Sequence, residues 1–330
     1  MILPFVSILI PFRDEEQNAP HILRSLESLD YPKERFEILL ANDHSEDNTL
    51  EILSDFTEKR TNCRLFNLAN KETDDNLKGK TRVLELLCKK AKGEYFLFTD
   101  ADIVLPKNWI NAMVSGFIQN AKLGVAVGVT GMRSDPLMHA LQGMEWMSVL
   151  FVMHGFQKKN IQGTGMGNNM AVSKEAYWAT GGYAKIPFSI VEDYALYKAI
   201  IDKGFDFIQY FNHDVLAYTI PPKDFLKQRN RWITGGVQSG SQLAWFGLLQ
   251  SLWLPICITL SFFSLSGALL LFFAPFVSNF FMIGRWEKLL RIRGYRRHFA
   301  AFSLYMPLSW LVQLLYWIFN RKIDWKGRKY

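Results

Sequence analysis

Four places in the sequence put carboxylates where a loop would begin. Asp14-Glu15-Glu16 follows the apolar run FVSILIP, and Asp43 follows FEILLA within ANDHSEDNT. Asp100 and Asp102 follow EYFLFT as TDAD, and Glu192-Asp193 stand in SIVEDYAL where a helix would open. One such acid means little, because Asp is at home in loops and at helix N-caps. Several acids at one edge repel one another unless cations or hydrogen-bond donors offset them. A D-x-D at a strand end presents two carboxylates that can bind a divalent ion and a sugar-nucleotide, although the pattern alone is common. Hard oxygen ligands favour Mg2+ or Mn2+ over zinc. The complementary charge comes late, in Lys227–Trp232 (KQRNRW). There Arg229 and Arg231 can neutralise a diphosphate, the guanidinium being suited to bidentate phosphate contact. The alternative, basic residues snorkelling towards lipid, would be preferred if the stretch stood alone.

These groups need a frame. Phe5–Pro11, Phe36–Ala41, Cys63–Asn67 and Glu94–Thr99 read as strands, the first, second and fourth of them apolar enough to be buried on both faces. His21–Leu29, Thr49–Lys59 and Thr81–Lys90 read as the helices between them. Alternation of this kind predicts a mostly parallel α/β sheet, whose ligands bind beyond the carboxyl ends of its strands. That is where the acids fall. No G-x-G-x-x-G follows the first strand, where PFRDEE stands instead, so a Rossmann oxidoreductase is excluded.

Composition separates a second region. The 330 residues carry a net charge of +7, yet Arg285–Tyr330 holds eleven Lys/Arg against Glu287 and Asp324, a net of +9. The other 284 residues are therefore at −2, which argues against a nucleic-acid-binding domain. Between Arg231 and Arg285 lie 53 residues without a formal charge, and Phe299–Phe319 adds 21 more. The latter would span roughly 32 Å as a helix, enough for a bilayer core. We expect a membrane region at 236–330, with hydrophobic segments at about 248–283 (a hairpin, or one tilted helix) and 299–319. A basic loop at 285–298 and a basic tail at 321–330 would favour the cytoplasmic side. Leu137–Phe156, nearly apolar but for Glu145, fits either a core helix or a membrane-surface helix. Cys63, Cys88 and Cys257 form no CxxC, so no disulfide framework is expected.

The ordered series VSILIPFRDEE, LLANDHSEDNT, GKTRVLE, FTDADIVL, GNNMAVSKEAYWATGGY, VEDYAL and QRNRW resembles the family-2 glycosyltransferases over residues 4–235. The Q-x-x-R-W is similar to that of membrane-associated members, and the closing DWKGRKY resembles the end of bacterial glycolipid-type members. The resemblance implies a GT-A nucleotide-diphospho-sugar transferase fold over 1–235. It assigns Pro11, Arg13 and Glu15 to the nucleotide loop, Asp43 to the uracil and Lys80 to the nucleotide side. Asn42 departs from the usual acid before Asp43. Asp100 and Asp102 match the D-x-D, with Asp102 as the direct metal ligand. Asp193 matches the general base, with Glu192 beside it on the acceptor side. Gln228, Arg231 and Trp232 match the motif that clamps the diphosphate and borders the acceptor. The implied reaction is an inverting, metal-dependent transfer, with Mg2+ or Mn2+, from a UDP-type sugar donor to a hydroxyl of a lipid or other membrane-embedded acceptor. The protein would be a multi-pass inner-membrane protein with its catalytic domain in the cytoplasm. A processive polysaccharide synthase, a polyprenyl-phosphate sugar transferase and a non-catalytic nucleotide-binding membrane scaffold are the competing readings.

Overall fold

The computed structural model describes residues 3–68, 77–132, 137–157, 159–222 and 224–320, with short backbone pieces at 324–325 and 328–329. In the basic tail 321–330 nothing beyond the backbone of those two pieces is described, so Lys326, Gly327 and Tyr330 of DWKGRKY lie outside the described residues. The chain forms two compact units, Met1–Thr130 with Phe156–Ile220, and Gly131–Gly155 with Pro221–Tyr330.

The first unit is built on seven strands: β1 (Val6–Phe12), β2 (Phe36–Asn42), β3 (Cys63–Asn67), β4 (Tyr95–Thr99), β6 (Leu123–Val127), β8 (Asn169–Ser173) and β9 (Asp206–Gln209). Their order is β3-β2-β1-β4-β8-β6-β9. The pairs β3–β2, β2–β1, β1–β4 and β6–β9 are parallel, and β8 alone runs antiparallel to both its neighbours. The mostly parallel sheet expected from the strand–helix alternation is thus what forms. Every residue of β2 is buried, and of β1 all but Pro11, which is why these strands read as continuous apolar runs rather than alternating ones. A smaller sheet orders β5 (Ile103–Val104), β10 (Leu216–Thr219) and β7 (Val129–Met132).

Crossover helices cover the large sheet: α1 (Ala19–Glu27), α2 (Thr49–Glu58), α3 (Lys80–Lys90), α4 (Trp109–Gln119), α6 (Lys174–Ala179) and α7 (Glu192–Asp202). Helix α1 buries Ala19, Ile22, Leu23 and Leu26, an i, i+3, i+4, i+7 stripe. The register of the sheet decides where chemistry can occur. Phe12 pairs with Asn42, so Arg13 and Asp43 leave the sheet side by side. Thr99 at the end of β4 lies opposite Asn169 at the start of β8. The antiparallel strand therefore brings the loop before it, Gly163–Asn168, to the same edge as Asp100.

The second unit is helical: α5 (Leu137–Gln157, its last two residues in the first unit), α8 (Phe225–Gln238), α9 (Gln242–Ser261), α10 (Leu265–Leu290) and α11 (Phe299–Phe319). Helices α9 and α10 form two legs joined at Phe262–Ser264, where the Ser264 hydroxyl caps α10 by accepting from Gly267 N at 3.1 Å. Two segments are long and apolar enough to cross a membrane, Leu265–Leu290 and Arg296–Phe319. Only 17% and 33% of their most apolar stretches are buried, whereas the core helix of a soluble protein would be mostly covered. The basic loop expected from 285 begins later. Helix α10 runs on to Leu290 because Trp286 and Leu290 continue its buried face, and it ends at Arg291 in a left-handed conformation (φ 52°). The Leu137–Phe156 segment is a helix that buries Leu141, Met144, Glu145, Met147 and Leu150.

Candidate active site

The loops after β1 and β2 are tied to each other by their own polar groups. Asp14 Oδ1 accepts from Glu46 N at 2.8 Å, and Asp14 N donates to Ser45 Oγ at 3.1 Å. Glu15 N donates to Thr49 Oγ1 at 2.8 Å, while Glu16 Oε2 accepts from Asn48 N at 3.2 Å. Asp14 and His44 take positive φ, at 53° and 56°, a sparsely populated region for such residues. This lacing presents Arg13 and the buried Asp43 together: Arg13 Nη1 lies 3.9 Å from Asp43 Oδ2, and His44 Nδ1 lies 3.0 Å from Asp43 Oδ1. Glu15 is oriented by Asn18, whose Nδ2 donates to it at 2.7 Å. Pro11 sits half-buried near the end of β1. Asn42 is buried and donates to Asn67 Oδ1 at 2.9 Å, so the departure from an acid there is accommodated by an amide pair.

At the end of β4 the charges become crowded. Lys80, the first residue of α3, places Nζ 2.7 Å from Asp100 Oδ1 and 3.0 Å from Glu192 Oε1. Its helix is held by buried Glu85, which accepts from Tyr177 Oη at 2.6 Å. Burial works against the charged ammonium, but Asp100, Glu192 and Asp193 outweigh it and raise the Lys80 pKa above its ordinary value. Asp102 accepts from Thr219 Oγ1 at 3.1 Å. Burial, then repulsion from Asp100 and Glu15, pushes its carboxyl up to about 6.

Asp193 lies in the first turn of α7. Its Oδ2 accepts from Gly167 N at 2.8 Å and its Oδ1 from Tyr194 N at 2.8 Å. It therefore serves the helix N-terminus and receives the Gly163–Asn168 loop as well. Burial, then repulsion from Glu192, raises it to about 6, against the two backbone donors and Lys80, which act the other way. Glycine is required at 165 for this approach, and 167 leaves little room. A Cβ at Gly165 would stand 2.3 Å from the Asp193 carbonyl oxygen, and one at Gly167 would stand 3.2 Å from Asp193 Cβ and 3.5 Å from Lys80 Nζ.

Of the residues singled out from the sequence, the first unit brings Asp100, Asp102, Glu192 and Asp193 into electrostatic reach of Lys80, and Glu15 into reach of Asp102. Gln228, Arg231 and Trp232 belong to the second unit, on α8, where they span about 100° of the helix surface. One reading is corrected. Arg229 is buried, its Nε 3.6 Å from Glu145 Oε1 and its guanidinium over the Trp232, Phe225 and Trp146 rings at 4.3, 4.7 and 5.6 Å. Engaged on all these sides, it is not presented to a diphosphate. Thr219 and the Gly165–Gly167 loop were missed. The repeated glycine of GTGMG was a readable sign of close backbone approach, whereas nothing in the sequence marks Thr219. Buried Asn169 was also passed over. It accepts from Trp109 Nε1 and donates to the Val129 and Val215 carbonyls, all at 2.9 Å, and so anchors the start of β8.

An ion at Asp100 and Asp102 would find two oxygen donors that repel each other. Among the described residues no group of three or more His, Cys, Asp or Glu side chains could hold a metal by itself. That donor set fits a hard divalent ion which keeps open positions for phosphate oxygens and water.

Among curated proteins, the chain is 28% identical over 242 residues to the poly-beta-1,6-N-acetyl-D-glucosamine synthase of Staphylococcus epidermidis, covering 70% of this chain and 54% of that protein. It is 25% identical over 246 residues to the beta-monoglucosyldiacylglycerol synthase of Trichormus variabilis, covering 72% and 50%. The chain spans about half the length of these curated relatives. Among solved structures, it resembles the mannosyltransferase PcManGT from Pyrobaculum calidifontis, in complex with GDP-Man and Mn2+, with a TM-score of 0.59 and 16% identity over 97% of this chain and 89% of that one. This likeness is one of fold, the GT-A architecture that the motifs imply. The model of glycosyl transferase family 21 matches residues 1–330, and the chain belongs to that family of glycosyltransferases.

Proposed function

We propose that this protein transfers one sugar from a nucleoside-diphosphate donor, of UDP type, to a hydroxyl of a lipid acceptor held in a membrane. The observation that carries the reading is the cluster at the carboxyl edge of the sheet, where Asp100, Asp102, Glu15, Glu192 and Asp193 share one neighbourhood with Lys80. A site so rich in repelling carboxylates is built to receive cations or to accept a proton.

Asp193 acts as the base. It takes the proton of the acceptor hydroxyl as that oxygen bonds to the anomeric carbon and the carbon–oxygen bond to the diphosphate breaks. A carboxyl raised to about 6 is mostly ionised at neutral pH yet more basic than an ordinary aspartate. The departing diphosphate carries its own negative charge, so it needs no proton. Asp102 with Asp100 would hold Mg2+ or Mn2+, which when bound supplies Lewis-acid stabilisation of the leaving group. Lys80 orients Asp100 and Glu192. Arg13 and Asp43 receive the nucleotide, flanked by Pro11 and Glu15. Gln228, Arg231 and Trp232 are assigned to the diphosphate and the acceptor by their motif alone. The two apolar spans support a membrane location. Exposed Arg291 and Arg293 between them, with Arg285, Lys288, Arg296 and Arg297 at their adjoining ends, favour a cytoplasmic face for that turn, and with it for catalysis.

Similarity to the Trichormus variabilis glycolipid synthase supports a lipid acceptor. Similarity to the Staphylococcus epidermidis polysaccharide synthase supports a second reading, repeated transfer to a growing chain. A panel of nucleotide sugars incubated with the protein and a total lipid extract, with products read by mass, tests both. A lipid gaining one hexose supports single transfer, and a ladder of sugars supports the polymerase. Failure of every donor to turn over sinks both.

A further inference from the structure

The second unit contains a carboxylate that the proposed reaction does not use. Glu145, on α5, has 2% of its side chain exposed. Its Oε2 accepts from Tyr305 Oη at 2.9 Å and Ser309 Oγ at 3.1 Å, and its Oε1 accepts from Gln313 Nε2 at 3.0 Å. Tyr305, Ser309 and Gln313 recur every fourth residue along α11, so they form one polar stripe on an otherwise apolar helix. The remaining partner is Arg229 of α8, at 3.6 Å.

Helix α8 carries Q-x-x-R-W, and its rotation about its own axis decides what that motif faces. Residues 229 and 231 stand about 200° apart on a helix, so drawing Arg229 inwards turns Arg231 the other way. Trp232, about 60° from Arg229, packs against Trp146, the neighbour of Glu145, with ring centroids 4.6 Å apart. Two further ties hold α8 to α11, Trp317 Nε1 to Thr234 Oγ1 at 3.0 Å and Asn230 Nδ2 to the Asn320 carbonyl at 2.8 Å. Neither is ionic, and on α11 both sit at its carboxyl end, beyond the Tyr305–Gln313 stripe. An ion pair in apolar surroundings is a poor source of net stability, since desolvation offsets most of its attraction, but it is directional and specifies a register.

We propose that Glu145 is a positioning residue for sugar transfer: through Arg229 it fixes the rotation of α8 and thereby the presentation of Gln228, Arg231 and Trp232. The inference rests on the role given to that motif in the proposed sugar transfer.

The test uses the full chain in detergent–lipid micelles, with the best donor of the nucleotide-sugar panel and a total lipid extract. Glu145→Gln and Arg229→Met are compared singly and together, reading the thermal midpoint, kcat and donor KM. Each single variant leaves a buried polar partner unmatched, so both the midpoint and kcat fall. The double variant is neutral throughout and recovers its midpoint, yet its kcat stays at least tenfold below wild type with donor KM changed less than threefold. Recovery of kcat to within threefold, in step with the midpoint, would show a merely structural pair and overturn the proposal. Arg231→Ala, run alongside, separates the two levels. If it too is impaired while the double variant recovers, only the role of Glu145 falls. If it turns over normally, the reading of the motif fails and this inference fails with it.

Discussion

Carboxylates held away from bulk water at the sheet edge and among the helices meet opposite surroundings. At the edge of the sheet Asp102 and Asp193 are raised to about 6, because burial and neighbouring acids outweigh the donors that reach them. Among the helices Glu145 meets three hydrogen-bond donors and a guanidinium. Burial alone therefore does not mark a working residue. What separates the two regions is whether the partners within the chain outweigh burial and mutual repulsion. A cluster in which they do not costs stability and is kept for what it will bind or deprotonate, while a carboxylate met by enough donors holds helices in place.

The largest effect expected from this contrast is at the base. Asp193→Asn keeps the acceptor for Gly167 N and cannot take a proton, so kcat should fall by a factor of about 1,000, within the usual share of general-base catalysis. Nucleoside-diphosphate binding, measured by calorimetry, should change less than threefold. Turnover near the wild-type rate would end the assignment of Asp193. Next in size is metal removal. Chelation should lower turnover by about 100-fold, with Mg2+ or Mn2+ restoring it and Ca2+ restoring less, since the site offers few protein ligands. Undiminished turnover in chelator would leave the repelling aspartates without their proposed partner.

A pH profile comes from the same frustration. A base must be ionised to act, and Asp193 becomes protonated as pH falls through about 6. The ratio kcat/KM should thus be level above about pH 7 and drop about tenfold per unit well below 6. An ordinary aspartate would hold the plateau down to about 4. A profile flat to about pH 4.5 would mean that the cluster is better balanced than its geometry indicates.

Much of the sheet and its edge was legible because both are written in local patterns. Cys63–Asn67 was bounded to the residue by the turns around it, and Phe5–Pro11, Phe36–Ala41 and Glu94–Thr99 to within one residue at each end, since strands buried on both faces appear as apolar runs cut by turns. The acids were found because parallel strands send all their carboxyl ends to one side. Contacts made across long stretches of sequence were not legible. Thr219 reaches Asp102 from 117 residues away, and Glu145 meets Gln313 from 168 away. The pairing of β8 that brings Gly167 to Asp193 has no local sign either. Arg229 misled for a related reason. Adjacent to Gln228, to whose Oε1 it donates at 3.4 Å, and two residues before Arg231, it shares their composition but stands about 200° round the helix from Arg231. The fourfold spacing of Tyr305, Ser309 and Gln313 could have been noticed, since a polar stripe on an apolar helix calls for a polar partner.

The contrast can also be read as a sign, with the smallest shift and the most direct meaning. In chelator, Asp102→Asn removes a carboxylate that its surroundings oppose. The folded-state pKa lies above the unfolded value, so the folded protein holds its proton more tightly, and ionisation at neutral pH costs on the order of 2 kcal/mol. Relief of that cost should raise the thermal midpoint by roughly 3 °C at about pH 7.5, and the gain should fade as pH drops from about 6 towards 4, where the wild-type group carries its proton anyway. Glu145→Gln should do the reverse at that neutral pH, lowering the midpoint, because it leaves Arg229 buried beside a neutral amide. Differential scanning fluorimetry of the two variants at about pH 7.5 and about pH 4.5 reads both signs. If Asp102→Asn were destabilising at the higher pH, the acids of the sheet edge would be answered within the chain after all, as Glu145 is. The reason for assigning them to a cation and a proton would then be gone.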